Sequence, residues 1–394
     1  MREWFASVRR GNLGALPAIA GLLVLCTVFT IMRPRFFSAG NFANLFTQGA
    51  AVTVIAMGLV FVLLLGEIDL SAGFASGVCA AVLAITLDQQ QFPWYASVGI
   101  AIATGLVIGL ILGFLVAKLN IPSFVVTLAA FLAFQGIVLL IVKDGNIVPV
   151  RDEVIVALAN KNMPPLLGWI VAGAGVLGYA AIQIVSAVRR RARQATAPSW
   201  NVLALRIGAL AVLTVTAVYV LNQERSRNAL ISSLKGVPYV VPLIVVLLIA
   251  GTFLLHRTAY GRHLYAVGGN REAARRAGIN VDLMRISAFV ICSGLAAVGG
   301  IIAASRATSV DPNTGGSNVL LYAVGAAVIG GTSLFGGKGR VLDAILGGAV
   351  IAVIDNGMGL MGYTSGVKYV VTGTVLLLAA SVDALSRKRA STSS

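Results

Sequence analysis

The chain has 394 residues, 58% of them apolar and only 11% charged, with 44 glycines besides. A soluble domain carries roughly 45–50% apolar and about 25% charged residues, so too few charges exist here to cover a polar surface. Disorder needs low hydrophobicity and is excluded as well; a mean hydropathy of +0.91 points to a polytopic membrane protein.

A bilayer core takes about 20 apolar residues per helix. In chain order, apolar runs fall at 14–32, 43–65, 70–87, 94–118, 123–142, 166–188, 202–221, 237–255, 285–305, 319–333, 341–358 and 367–384. The expected fold is therefore all-α, with about twelve transmembrane helices in one membrane domain over 1–394. Runs this long that do not alternate exclude barrel strands. Arg2, Arg9 and Arg10 precede a first run without a small-residue cleavage pattern, which is expected to stay as a span. The runs 166–188 and 202–221 flank Arg189-Arg190-Arg191-Ala192-Arg193. They are expected to form a hairpin, 166–221, inserted into a ten-helix core.

The net charge is +16, from 30 basic and 14 acidic residues. Most basic residues sit in short loops between apolar runs, where they act as orientation signals. Aromatics do not interleave with them, so no nucleic-acid partner is expected. With the N-terminus inside, the inner loops hold Arg189 to Arg193, the group Arg257, Arg262, Arg271, Arg275, Arg276 and Arg285, and Arg387 to Arg389. The inside bias is about two to one, so both termini are expected to be cytoplasmic. Arg33 and Arg35 are the awkward pair, on the outer side.

Glycine marks close packing. Gly105, Gly109 and Gly113 recur at i, i+4 and i+8, a spacing that lets two helix backbones approach. Polar residues inside the runs say more. Gly66-Glu67-Ile68-Asp69-Leu70-Ser71 places two carboxylates in a long apolar region with no basic neighbour in sequence. A charge at the bilayer centre costs roughly 2.5–3.5 kcal/mol on insertion scales, so both need water, a cavity or donors. Either Asp69 caps the next helix with Glu67 at the interface, or Glu67, Asp69 and Ser71 form a broken helix lining a pathway. Asn318, Asp355 and Asn356 are further interior polar positions.

Cys26, Cys79 and Cys292 lie in apolar runs without disulfide or metal spacing and are expected to be small buried hydrophobes. His256 and His263 share a basic loop with no ligand partners, so no metal is expected. No catalytic triad and no HExxH occurs. The stretch Thr332 to Gly339 departs from a phosphate-binding loop at its first glycine and at its magnesium-binding hydroxyl. The chain is expected to hold no cofactor and no enzyme site; any ATP would be bound by another chain.

The loop 256–284 contains one expected helix. Asn270 is an N-cap, Arg271 and Glu272 begin the first turn, Ala273 and Ala274 continue it, Arg275 and Arg276 suit the last turn, and Ala277-Gly278 end it. A helix of about two turns is marginal alone in water, so a surface must hold it. Ala273, Ala274 and Ala277 offer a small-residue face for that surface.

Three phrases resemble the signatures of sugar-import permeases of the ATP-binding-cassette class, in the ribose/xylose/galactose branch: Gly66 to Ser71, Gly269 to Val281, and Gly330 to Gly337. The extra hairpin and the ending Asp355 to Tyr363 are most similar to xylose-type permeases. The resemblance covers most of 40–385. It implies the permease fold of these importers, in two copies around one pathway in a bacterial plasma membrane. It also implies a cytoplasmic ATPase with two fused nucleotide-binding domains and an extracytoplasmic sugar-binding protein. Residues Asn270 to Gly278 would then couple the permease to the ATPase. A secondary transporter using Glu67 and Asp69 as an H⁺ or Na⁺ site is the alternative.

The topology makes a direct prediction. A cysteine placed at Gln194 is expected to react with an impermeant maleimide only after the cytoplasmic side is opened; labelling from outside intact cells would reverse the assigned sidedness.

Overall fold

The structure, a computed structural model, describes residues 16–143, 146–194, 199–226 and 233–392, with side chains described to Ser381 apart from that of Ser317. Arg2, Arg9 and Arg10, part of the 189–201 loop, and the side chains of Arg387, Lys388 and Arg389 lie outside the described residues.

The helices are α1 Leu16–Met32, α2 Ala39–Leu64, α3 Ala72–Asp88, α4 Trp94–Lys118, α5 Ser123–Val142, α6 Glu153–Asn160, α7 Pro165–Ala192, α8 Trp200–Leu221, α9 Val240–Arg257, α10 Ala259–Gly269, α11 Arg271–Arg276, α12 Val281–Ala307, α13 Ser317–Gly330, α14 Val341–Leu360 and α15 Ser365–Thr392. Each apolar run of the sequence forms one of them. Eight are long and apolar enough to cross a bilayer. The apolar parts of α1, α3, α13 and α15 are shorter. Helix α3 has 17 residues, about 25 Å at 1.5 Å per residue, which falls short of a hydrocarbon core of about 30 Å. Residues 65–71 are non-helical before it, and its residues Ala72 to Ala81 are buried in protein. Neighbouring helices rather than lipid shield its N-terminal end, so full spanning length is unnecessary.

Helices α2 and α12 form the centre. Helix α12 packs against α4, α2, α3 and α6, while α2 also meets α14, α13 and α9. The glycine spacing finds its use here. A Cβ at Gly109 would lie 2.5 Å from the Phe289 oxygen, one at Gly105 2.6 Å from Ser293 O, and one at Gly113 2.7 Å from Ile286 Cα. All three targets are α12 backbone, so these glycines are the groove into which α12 lies. Phe289, Cys292 and Ala296 beside the seam are fully buried.

Two helices and a pair of short strands escaped the apolar-run reading. Asp152 accepts from Val154 N at 2.9 Å and Ile155 N at 3.1 Å and starts the short helix α6. Thr258 caps α10 through Gly261 N at 3.3 Å, in a stretch that reads as loop because Gly261, Gly268 and Gly269 lower helix propensity. Val148–Pro149 and Ser309–Val310 pair antiparallel as β1 and β2, tying the chain after α5 to the chain after α12.

Helices α7 and α8 pack on each other and touch the rest near one end. There Val218 and Leu221 meet Met163, Val237, Phe42 and Phe46. Glu224 secures the loop at that end by accepting from Ser226 N at 2.9 Å, Leu234 N at 3.0 Å and Ser233 Oγ at 2.8 Å. The Ser226 and Leu234 amides, then the Ser233 hydroxyl, hold its carboxyl well below the usual carboxylate range, at about 2. Arg225 donates to Leu221 O at 2.8 Å and Gly236 O at 3.0 Å across the same loop.

The glycine groove is testable within one helix. Gly109→Ala is expected to cost about 1–3 kcal/mol as an overpacking change, read as a lowered unfolding midpoint in detergent. Gly99 on the same helix has open space where a Cβ would stand, so Gly99→Ala should be neutral or slightly stabilising.

Candidate functional site

Helix α2 stops at Leu64, and the chain turns through Gly66 in the left-handed region at φ +71°. Ending the helix leaves carbonyls without intrahelical partners. One of them, Leu64 O, accepts from Gly337 N at 2.8 Å. A Cβ at Gly268 would collide with the same oxygen, and one at Gly66 would lie 3.3 Å from Phe335 O. The end of α10 and the loop 333–339 therefore close on the α2–α3 break at backbone distance. Tyr265 on α10 adds a hydrogen bond to Gly339 O at 2.6 Å. Burial first, then the Asp343 carboxylate, pushes its phenol up to about 12, so it remains a protonated donor at neutral pH. The three signature phrases, distant in sequence, thus meet in one place.

A charge cluster locks the junction. Glu67 Oε1 accepts from Arg271 at 2.7 Å and from Arg285 Nε at 3.0 Å. Glu67 and Arg285 are each only 6% exposed, whereas the Arg271 side chain is 43% exposed. Arg285 reaches further to Asn120 Oδ1 at 3.4 Å, on a residue held at φ +53°. Lys118 pairs with Asp282 at 2.9 Å beside it. Ser123 Oγ accepts from Ile68 N at 3.3 Å, and Thr127 Oγ1 donates to Ile68 O at 3.2 Å, so α5 steadies the break from its other side.

Asp69 is fully buried. Its Oδ1 accepts from Ser71 N at 2.8 Å and Ser71 Oγ at 2.6 Å. It therefore closes an Asx-type turn before α3 rather than capping the helix, because α3 begins at Ala72 with Ser71 at the N-cap position. Glu67 is nearly enclosed, and its Oε1 faces two arginines.

The segment Asn270 to Gly278 holds the expected helix. Asn270 Oδ1 accepts from Ala273 N at 2.9 Å. Glu272 pairs with Arg276 at 3.2 Å and lies 3.9 Å from Arg275. Gly278 takes φ +82°, with Gly278 N to Arg275 O at 3.0 Å and Ile279 N to Ala274 O at 3.1 Å. This is a Schellman ending, one residue past the Ala277 C-cap. The expected small-residue face is divided, however. Ala274 is buried in the protein's own core, while Ala273 and Ala277 are exposed. A helix of this length shows one residue in four to the surface beneath it, so Ala274 seats the helix and cannot also face a partner.

Asn318, Asp355 and Asn356 belong to the opposite end. Asn356 accepts from Asn41 at 2.9 Å and donates to Gln48 at 3.1 Å. Asp355 takes Gln48 and, at 3.1 Å, Lys368. Asn318 donates to Tyr369 Oη at 2.6 Å. Nearby, Arg306 donates to Thr47 at 2.8 Å and Asn44 at 3.3 Å, on the wall of an open cleft of about 470 Å³ that Asn160, Asn162 and Arg225 also line. Gln48 and Leu64 are 16 residues apart on α2, about 24 Å, so the polar positions form two separate groups. Asp282 and Ser123 were not singled out from sequence, and Arg285 was read there only as one of the inner-side basic residues. Arg285 carried a partial signal: it opens an apolar run, and an ionisable residue there needs a counter-charge, though the sequence does not say which.

Eight long apolar helices around a broken-helix junction mark a multi-pass integral membrane protein. The family described as branched-chain amino acid transport system / permease component matches residues 41–151 and 153–380, and this chain belongs to it. It is 35% identical to the xylose transport system permease protein XylH of Escherichia coli (strain K12), over 98% of this chain and 95% of the relative. It is 33% identical to the protein of that name from Haemophilus influenzae, over 96% and 98%. It is 29% identical to the ribose import permease protein RbsC of Escherichia coli (strain K12), over 93% and 92%. No solved structure matches the chain.

Removing one partner of a buried ion pair costs about 3–5 kcal/mol, and an exposed pair far less. Arg285→Leu is therefore expected to lower the unfolding midpoint much more than Arg271→Leu. Asp69→Asn should leave the midpoint nearly unchanged, since an amide oxygen still accepts from Ser71, while Asp69→Leu should lower it. Equal effects of the two arginine variants would show that Glu67 is not enclosed as described.

Proposed function

We infer that this chain is the membrane-spanning subunit of an ATP-binding-cassette importer that carries a monosaccharide, xylose or a related pentose, into the cytoplasm of a bacterium. Two copies enclose the pathway in the plasma membrane, with both termini cytoplasmic. ATP is bound and hydrolysed by a separate chain with two fused nucleotide-binding domains, and an extracytoplasmic binding protein delivers the sugar.

The observation that carries this reading is the mounting of α11. A six-residue helix cannot persist alone. Here it is capped at both ends, seated through Ala274, and joined by Arg271 to the carboxylate at the end of α2. Its outward residues Ala273, Arg276 and Ala277 are left for a partner, while its inward side is fixed to a spanning helix. Such a piece transmits force only if a partner contacts it differently in two states. The sugar class follows from full-length similarity to xylose and ribose permeases. The ion-coupled alternative is weakened because Glu67, its first candidate carboxylate, is already neutralised by two guanidinium groups.

Ala277→Trp and Ala273→Trp are expected to abolish uptake of radiolabelled xylose in cells expressing the whole transporter, and to weaken co-purification of the ATPase. Membrane insertion should be normal because neither residue touches the core. Wild-type uptake with either variant would assign α11 to a solvated connector. Uptake that stops on dissipating the proton or sodium gradient, with ATP intact, would establish the ion-coupled alternative.

A further inference from the structure

We propose that Arg189, Arg190 and Arg193, at the C-terminal end of α7, hold the phosphate of an anionic phospholipid whose acyl chains lie along the shaft of the α7–α8 hairpin. Four observations converge on this occupant. The first is attachment. The hairpin meets the body of the protein where Val218 and Leu221 pack, and the apolar stretches of α7 and α8 are only 6% and 11% buried. The shaft residues Leu177, Ile182, Leu205, Val212 and Leu213 are exposed apolar surface, which suits acyl chains and nothing polar.

The second is charge. Arg189, Arg190, Arg191, Arg193 and Arg206 lie in a stretch with no Asp or Glu between Glu153 and Glu224. Arg189, Arg190 and Arg193 are exposed. Arg189, Arg190 and Arg193 therefore present positive charge with no acidic residue in the hairpin sequence to offset it. The third is depth. Trp169, 38% exposed, stands at the start of α7 and suits an interfacial belt. Twenty residues separate it from Arg189, about 30 Å of helix, which matches the hydrocarbon thickness. If Trp169 marks one interface, the arginines reach phosphate level at the other. The fourth is geometry at the tip. The Arg191 guanidinium stacks 4.0 Å over the Trp200 ring, which fixes the two helix ends together and sets an aromatic ring at the same level. Arg206 starts about 9 Å deeper and has the length to snorkel toward the same headgroups.

Depth and shaft together select a lipid over a soluble partner. An acidic protein would have to reach into the headgroup layer, and a free phosphate would gain nothing from the shaft. Each arginine near a bilayer surface favours anionic lipid by roughly fivefold.

The test uses the full-length chain in which Trp200 is the sole tryptophan, through W4F, W94F and W169F. It is reconstituted into phosphatidylcholine vesicles containing either phosphatidylglycerol or phosphatidylcholine brominated near the headgroup end of the acyl chains. Trp200 should associate with brominated phosphatidylglycerol at least about tenfold more than with brominated phosphatidylcholine at equal mole fraction. The R189Q/R190Q/R193Q variant should lose that preference while its unfolding midpoint stays unchanged, since these side chains touch no core. Soluble glycerol phosphate should not compete. Equal quenching by the two lipids, or a preference that survives in the triple variant, overturns the proposal. Competition by glycerol phosphate identifies a free-phosphate site, and a preference seen only with the partner ATPase bound assigns the arginines to a protein surface. Either outcome also overturns it.

Discussion

One carboxylate oxygen organises the end of the molecule that matters most. Glu67 Oε1 faces two guanidinium groups, one enclosed and one open to water, so the cluster keeps a net positive charge. The enclosed contact is the costly one to break, because Arg285 would then be a buried cation without a partner. The open contact is the adaptable one, because water replaces part of what it loses. This asymmetry makes α11 firmly joined to the body yet free to tilt. The break after α2 follows from the same arrangement: Glu67 projects toward α11 and α12 only because the helix has ended and Gly66 has turned the chain.

The backbone contacts around this cluster form a second constraint. Leu64 O is shared between a hydrogen bond from Gly337 and the close passage of Gly268. Interiors packed at this density pass strain on rather than absorb it. A displacement of α10 therefore presses directly on the last turn of α2. At the other end of α2, Asn41 and Gln48 bind Asn356, and Gln48 binds Asp355 as well. One rigid helix thus has a polar network at each end and a dry interior between them, which is the geometry of a lever.

The spans were legible because hydrophobic length is a local property, and so were the caps of α11, since Asn270 and Gly278 announce themselves by residue type. The partners of Glu67 were not, because Arg271 and Arg285 stand 204 and 218 positions away, and no periodicity reports a contact of that range. Helix α10 was hidden for a different reason. Gly261 and Gly268 weaken its local propensity, yet a Cβ at either would strike the backbone of Leu255 or Leu64. Tertiary closeness required the glycines, and the helix persists because packing supplies what propensity withholds. The division of Ala273, Ala274 and Ala277 between two faces depends on the rotation of α11 about its axis, which its seat on the core determines.

The chain enters the α7–α8 hairpin at Met163 and leaves it at Val237, and these two residues share a backbone hydrogen bond of 2.8 Å. Asn162 and Pro238 continue the contact as an isolated bridge. Everything between them is a detour that returns to its starting point. Closing the chain across such a gap needs only a short turn, and loop entropy rises slowly with length. The remaining helices would keep their order, their direction and their sidedness, because a hairpin adds an even number of crossings. The hairpin is thus a closed excursion of the chain, and the packing of the remaining helices does not depend on its length.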